Sequence, residues 1–169
     1  VNHQRVYFAN HGSNGDFVLI WTVLPSVLRA KTRPVAGSDY WLTTKLKTFI
    51  GRDVFNAVLI DRNPDTRTQD PIAQMVEALD GGSSLILFPE GTRTTPGRPI
   101  KFRRGGANIA LRTGSAITPV LIKCSPTTLT KGEPWYHIPR RKVQMDLHIL
   151  DDLPPEPASN QPTSQQARQ

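Results

Sequence analysis

His11 and Asp16 stand five residues apart in "NHGSNGD", with two glycines and otherwise polar side chains between them, and the pair could carry out proton transfer. An imidazole titrates near pH ~6.5, so it can take a proton from an alcohol at neutral pH. A carboxylate on its other ring nitrogen fixes the tautomer and stabilises the imidazolium that forms. On an uninterrupted helix five residues amount to roughly 500° of rotation, and the two side chains would diverge by about 140°. The backbone must therefore bend between them, and Gly12 and Gly15 offer positive φ as the means. The same residues also describe an ordinary polar surface loop, and an isolated His-x4-Asp does not choose between the two. Ser13 is assigned to the loop and not to nucleophilic attack.

A second constellation, "FPEGTRT" from Phe88 to Thr94, follows the apolar run "SSLILF" directly. It gathers an acid (Glu90), a flexible turn (Gly91), a hydroxyl (Thr92) and a guanidinium (Arg93) where the carboxyl end of a strand in an α/β sheet commonly meets its ligand. Arg98, Lys101, Arg103 and Arg104 follow, making five bases between positions 93 and 104. A guanidinium binds phosphate oxygens in a fork, and a helix starting near Gly105 would add its positive end. A solvated basic loop is the competing description. "VLIDR" puts a further arginine, Arg62, beside Asp61 at the end of another apolar strand.

The elements that must position these residues alternate. "RVYFAN", "RPVAG", "NAVLID", "SSLILF", "AITPVLIK" and "KVQMDLHIL" read as strands, the last with Val143, Met145, Leu147 and Ile149 on one half-exposed face. Between them "DFVLIWTVLPSVLRA" reads as one apolar helix capped by Asp16, "DYWLTTKLKTFIG" as an amphipathic stretch, and "GANIALRTG" as a short helix ending at Gly114. "DPIAQMVEALDGG" has Asp70 as N-cap, Pro71 in the first turn and Gly81 after the end. The alternation predicts an α/β fold: one domain with a mixed, largely parallel sheet of about six or seven strands and helices on both faces. Residues 1–150 form that domain; 151–169 are a Pro-, Ser- and Gln-rich tail, disordered or a truncated helix.

Lys and Arg number 21 against 14 Asp and Glu, a formal charge of +7, and the part before Asp151 carries +9 from 20 bases and 11 acids. That surplus favours an anionic partner without naming one. Cys124 is the one cysteine, so no internal disulfide forms, and it reads as a strand-end residue in a reducing compartment. No run reaches the ~18 apolar residues of a membrane span. The chain begins at Val1, a few residues before its first strand, and the expectation is that an amino-terminal segment precedes it. His3, His137 and His148 have no evident partners and are expected to be structural or exposed, while Trp21 and Trp135 are expected to pack.

Taken in order, "NHGSNGD", "NAVLIDR", "FPEGTR" and "ITPV" resemble the four motifs of the glycerolipid acyltransferase family, over residues from Arg5 to Val120. Asn14 and Gly15 stand where members usually carry bulkier residues, Asn56 where a glycine often opens the second motif, and Thr94 where a serine is common. The resemblance implies transfer of a fatty acyl group from a thioester, acyl-CoA or acyl carrier protein, to the hydroxyl of a lysophospholipid. The default acceptor is 1-acyl-glycerol-3-phosphate, giving phosphatidate; glycerol-3-phosphate and a lyso-aminolipid are the alternatives.

Mapped onto this chain, the resemblance makes His11 the general base and Asp16 its orienting acid, with no acyl-enzyme, since the substrate's hydroxyl is the nucleophile. Arg62 and Arg93 would hold the phosphate, with Glu90, Gly91 and Thr92 shaping the acceptor pocket. Lys101, Arg103 and Arg104 would extend the phosphate field or face the membrane. Backbone amides near Gly12 or Gly91 are the candidates for stabilising the oxyanion. The mechanism calls for no metal and no bound cofactor; the acyl thioester is a co-substrate.

An insoluble substrate also calls for an anionic membrane surface as partner. Arg29, Lys31, Arg33, Lys45 and Lys47 with Tyr40 and Trp41 supply a suitable mixture, and an ordinary packed amphipathic helix is its equal competitor. The expected location is the cytoplasmic face of the cell membrane, peripheral or anchored by the preceding segment. Two other classes compete: a phosphohydrolase with water as acceptor, and a basic phospholipid- or nucleic-acid-binding module. Nucleic acid is disfavoured because Phe102 is the one aromatic among the bases from Arg93 to Arg104.

Overall fold

The computed structural model describes residues 4–95, 97–134, 137 and 139–154; His3, Trp135 and the tail from 155 lie outside the described residues. Among the described residues six strands form one sheet in the order β3-β2-β4-β1-β5-β6: β1 (Arg5–Ala9), β2 (Thr32–Gly37), β3 (Val58–Ile60), β4 (Ser84–Leu87), β5 (Ala116–Ser125) and β6 (Gln144–Ile149). All neighbouring pairs are parallel except β5 with β6, so the mixed, largely parallel sheet expected from the alternation is found.

Each face of the sheet has its own apolar cluster, because successive side chains of a strand point to opposite sides. Val6, Leu85 and Leu87 pack with Met75, Ala78, Leu79 and Ile109 from helices α5 (Pro71–Asp80) and α6 (Gly105–Thr113). Tyr7, Ala9 and Ile86 pack on the other face with Val120, Ile122, Leu24 and Ile20, the last from α1 (Asp16–Val23). The whole of β4, Ser-Leu-Ile-Leu, is buried, as a central parallel strand covered on both sides must be. Full burial of a side chain such as Leu85 or Ile109, both 0% exposed, stabilises by about 1.5–3 kcal/mol. Gly106 lets α6 lie close on the sheet, since a Cβ there would come within 2.8 Å of Phe8 and 2.9 Å of Leu87.

The capping residues of α5 act as read from the sequence: the Asp70 side chain accepts from the Ile72 amide and Pro71 occupies the first turn. Helix α6 ends at Gly114 in the left-handed conformation. Three readings are corrected. The apolar stretch from Asp16 is two helices, α1 and α2 (Ser26–Arg29), because Pro25 cannot continue the first. Asp16 is not the N-cap, which is Gly15; it sits in the first turn with its carboxylate turned back to the loop. The amphipathic stretch is α3 (Ser38–Trp41), α4 (Lys45–Phe49) and a π turn, Ile50–Val54, instead of one helix.

At the other end, strand β6 starts at Gln144, one residue after Val143. Met145 and Leu147 are half-buried as expected, but Ile149 is exposed, because β6 is an edge strand. The chain stays tied to the sheet beyond residue 150: Leu153 pairs with Ile117, and Asp152 accepts from Thr118 and pairs with Arg5.

Candidate active site

Four parallel strands, β1 to β4, deliver their carboxyl ends to one edge of the sheet, and the residues singled out above follow directly from those ends. His11 lies two residues past β1, Arg62 two past β3, and Glu90 three past β4. Asn10 fixes the exit of β1: its side-chain amide donates to the Ile122 carbonyl at 2.9 Å and its oxygen accepts the Ile122 amide at 2.7 Å.

His11 Nδ1 is 3.1 Å from Asp16 Oδ2, so the pair proposed from spacing does meet. Asp16 is 2% exposed, and the same oxygen accepts the amides of Gly12 and Ser13 at 2.8 Å each. These three donors make the bend between the two residues. Neither Gly12 nor Gly15 adopts positive φ, which corrects the expected mechanism of the turn: a carboxylate gathering successive amides replaces left-handed glycines. Ser13 is buried and its Oγ accepts the Gly15 amide, a loop role as assigned. The imidazole stacks on Phe88, centroids 4.1 Å apart and planes 18° from parallel, which holds the ring against rotation.

The Glu90 loop is bound to the same histidine through the backbone. Glu90 Oε1 accepts the His11 amide at 2.9 Å, and the Thr94 amide donates to the His11 carbonyl at 2.7 Å. Glu90 is 5% exposed, and its Oε2 is buried without a hydrogen-bond partner. Gly91 takes φ +70°, and its amide donates to the Phe88 carbonyl. The amides of Gly12 and Gly91, the sequence candidates for oxyanion donors, are therefore both already engaged, by Asp16 and by Phe88.

The basic residues divide sharply. Arg62 Nη2 lies 2.9 Å from both oxygens of Asp39, and its Nη1 donates to the Gly91 carbonyl at 3.3 Å. Arg93 Nη1 donates to the carbonyls of Leu129 and Thr130 at 3.1 and 3.0 Å. Arg103 lies across Gly91: a Cβ there would be 2.6 Å from its Nε. Thr92, Lys101 and Arg104 are exposed.

Residues outside the sequence candidates complete the arrangement. Leu129, at φ +55°, directs its carbonyl to both the Asn14 amide and Arg93, so one backbone group joins the two motif loops. Glu133 holds this segment by accepting from the Thr130 amide and pairing with His137, a partner the sequence did not reveal. Phe88 and Asn10 open motifs already quoted, and their position beside catalytic-type residues was the available signal. Asp39 and Leu129 carried none. Cys124 lies at the end of β5, where burial pushes its thiol pKa up, against the opposing effect of a backbone hydrogen bond from Thr128.

The expected interfacial mixture is split. Arg33 Nε donates to the Asn56 carbonyl, Arg29 lies over the Trp21 ring, and Trp41 packs edge-on to Phe17 with its ring against Gly51. Tyr40, Leu42, Leu46 and Phe49 remain exposed, with Lys47 over the Tyr40 ring. Trp21 packs in the core cluster of α1, as expected, and His148 is exposed on β6. Among the described residues no helix is long and apolar enough to cross a membrane.

The chain belongs to the Acyltransferase family, whose model matches residues 1–123. Among its relatives is the 1-acyl-sn-glycerol-3-phosphate acyltransferase of Escherichia coli (strain K12), 31% identical over 159 residues that cover 90% of this chain and 56% of that one. The protein of the same name from Cocos nucifera is 32% identical over 128 residues, 72% of this chain and 38% of its own. The fold matches the crystal structure of the 1-acyl-sn-glycerophosphate (LPA) acyltransferase PlsC from Thermotoga maritima with a TM-score of 0.62 at 21% identity, covering 95% of this chain and 60% of that one. The chain thus spans about half the length of the curated relatives it matches.

Proposed function

We propose that this domain transfers a fatty acyl group from an acyl thioester to the free hydroxyl of 1-acyl-glycerol-3-phosphate, giving phosphatidate. The observation that carries the reading is the His11–Asp16 pair: a buried carboxylate on Nδ1 leaves Nε2 as the nitrogen that meets the acceptor. In the reaction the acceptor oxygen attacks the thioester carbonyl while its proton passes to Nε2. The tetrahedral oxyanion then collapses with loss of the C–S bond, and the leaving thiolate recovers that proton. No acyl-enzyme forms. Asp16 stabilises the imidazolium between the two transfers. The relatives' shared name, the 1-acyl-sn-glycerol-3-phosphate acyltransferases, supports this acceptor over glycerol-3-phosphate or a lyso-aminolipid.

Acyl-CoA and acyl carrier protein are both donors by chemistry. The exposed Tyr40, Leu42, Leu46 and Phe49, flanked by Lys45 and Lys47, form the face that meets an anionic bilayer on the cytoplasmic side. The test is acyl transfer to lysophosphatidate in detergent micelles with each donor. Thiol release with phosphatidate formed, lost in His11→Ala, supports the reading. Absence of transfer to lysophosphatidate by a folded protein, with transfer to another acceptor, overturns the choice of substrate.

A further inference from the structure

We propose that Glu133 is a positioning residue for acyl transfer: it holds the turn at Leu129 and Thr130, and that turn sets the spacing between the His11–Asp16 loop and the Glu90–Thr94 loop. The inference rests on the acyl-transfer reading above and adds to it a residue outside both loops.

The two loops meet on successive carbonyls of one connection, the chain between β5 and β6. The Leu129 carbonyl accepts the Asn14 amide, inside the His–Asp loop, at 3.2 Å and Arg93 Nη1 at 3.1 Å. The Thr130 carbonyl accepts the same Nη1 at 3.0 Å. From Arg93 the path to the base is short, because the next residue, Thr94, donates its amide to the His11 carbonyl at 2.7 Å. A shift of this turn therefore reaches His11 by two routes, through Asn14 and through Thr94.

The turn does not hold itself. Leu129 stands at φ +55°, a conformation unfavourable for leucine. Side-chain packing does not fix the spacing either. A cavity of about 170 Å³ is lined by Gly12, Ser13 and Asp16 of the loop and by Cys124, Thr127 and Thr128 leading into the turn. Glu133 supplies the hold. Its Oε2 accepts the Thr130 amide at 2.9 Å and the Thr130 hydroxyl at 3.2 Å, and its own amide donates back to the Thr130 carbonyl at 3.1 Å. Thr-x-x-Glu is the spacing of a capping box, used here to close a turn. Oε1 pairs with His137 Nδ1, so both carboxylate oxygens are engaged. Among the described residues Glu133 makes no hydrogen bond with His11, Asp16, Glu90 or Arg93, and its reach to the base runs through Thr130.

The test is acyl transfer to lysophosphatidate in detergent micelles by the full chain, well below the melting temperature of every variant. Glu133→Ala should lower kcat about 10- to 100-fold and leave KM for both substrates within about threefold, as a displaced base would. Glu133→Gln keeps an acceptor for the Thr130 amide and should recover most of kcat. If Glu133→Ala does not fold, Glu133→Asp, too short to reach Thr130 in the same way, takes its place with the same expected loss. The control is Asp152→Ala, which breaks contacts with Arg5 and Thr118 near the amino ends of β1 and β5 and should lower the melt without changing kcat. Added to Arg93→Ala, Glu133→Ala should cost little more, because both act on the same carbonyls. An equal kcat loss in Asp152→Ala, a Glu133→Gln variant as slow as Glu133→Ala, or losses that multiply in the double variant would overturn the assignment.

A second measurement does not depend on turnover. Amide hydrogen exchange in Glu133→Ala should speed about tenfold or more at Asn14 and stay unchanged at Ile122, whose amide is held by Asn10 on the other flank of the loop. Unchanged exchange at Asn14, or equal acceleration at both amides, sinks the proposal. If the folded wild type acylates no acceptor at all, the acyltransferase reading fails, and the exchange result alone decides whether Glu133 positions the loop.

Discussion

Asp16 grips His11 from a buried position: Oδ2 lies 3.1 Å from the histidine's Nδ1 while accepting the amides of Gly12 and Ser13. One oxygen therefore shapes the loop and, in the proposed mechanism, also sets the tautomer of the base. Asp16→Asn keeps an acceptor for the amides but offers no negative charge to the imidazolium. It should lower kcat about 10²- to 10⁴-fold with a modest loss of stability. Asp16→Ala removes the acceptor for two amides and should cost a further ~1–3 kcal/mol in folding free energy. His11→Ala should abolish transfer while leaving the melt nearly unchanged. Thiol-release assays beside thermal melts separate the two roles, and a His11→Ala variant that still turns over would remove the histidine from the mechanism.

Glu90 acts on the same histidine through the main chain. Its Oε1 holds the His11 amide at 2.9 Å, and the side chain is buried. Glu90→Gln can retain that acceptor and should keep most of the activity. Glu90→Ala frees the His11 backbone, and a displacement of the base by about 1 Å is enough to cost on the order of 10²-fold in kcat. The comparison of kcat for the two variants is the check; equal losses in both would mean that the charge of Glu90, and not its grip on His11, matters.

Among the described residues, two other than glycine take positive φ, and they should respond oppositely to substitution. Asn56, at φ +48°, carries one of the side chains that tolerate this conformation best. Asn56→Gly should be close to neutral, and Asn56→Ala should destabilise by about 1 kcal/mol. Leu129, at φ +55°, has no such tolerance, so Leu129→Gly should relieve about 1–2 kcal/mol of strain, less the apolar contacts of its side chain. Denaturant unfolding of the three variants gives the signs. Stabilisation by Asn56→Ala would contradict the strain argument.

The sheet was legible in the sequence because its strands are short apolar runs bounded by turn residues, and Pro71, Asp70 and Gly114 mark helix ends by local chemistry. Pro25 was visible too, but the apolar residues on both sides suggested one continuous helix. Of the candidate site, the His11–Asp16 contact followed from spacing. What spacing hides is which arginine is already spoken for. The partners of Arg62 and Arg93, Asp39 and the carbonyls of Leu129 and Thr130, are 23, 36 and 37 residues away in sequence. A backbone carbonyl leaves no mark in a residue pattern. The form of the turn is hidden for the same reason: its glycines show in the sequence, whereas the amides converging on Asp16 do not.

The segment that claims Arg93 is itself held by a titrating group, which predicts how acid should act on it. Glu133 has its carboxyl pKa lowered, first by the hydrogen bond with His137 and then by the Thr130 amide. A depressed carboxylate pKa contributes stability that is fully present above the ordinary value and is lost as pH falls through the lower folded value. Glu133→Gln, which cannot ionise, should therefore melt below the wild type at neutral pH. The gap should close as pH falls below 4.5, the ordinary value for this carboxyl, because the wild type then loses the same charge. Melting curves of both proteins from about pH 7 to about pH 3 measure the gap. A difference that stays constant across that range would assign the effect to hydrogen-bond geometry and not to the charge of Glu133.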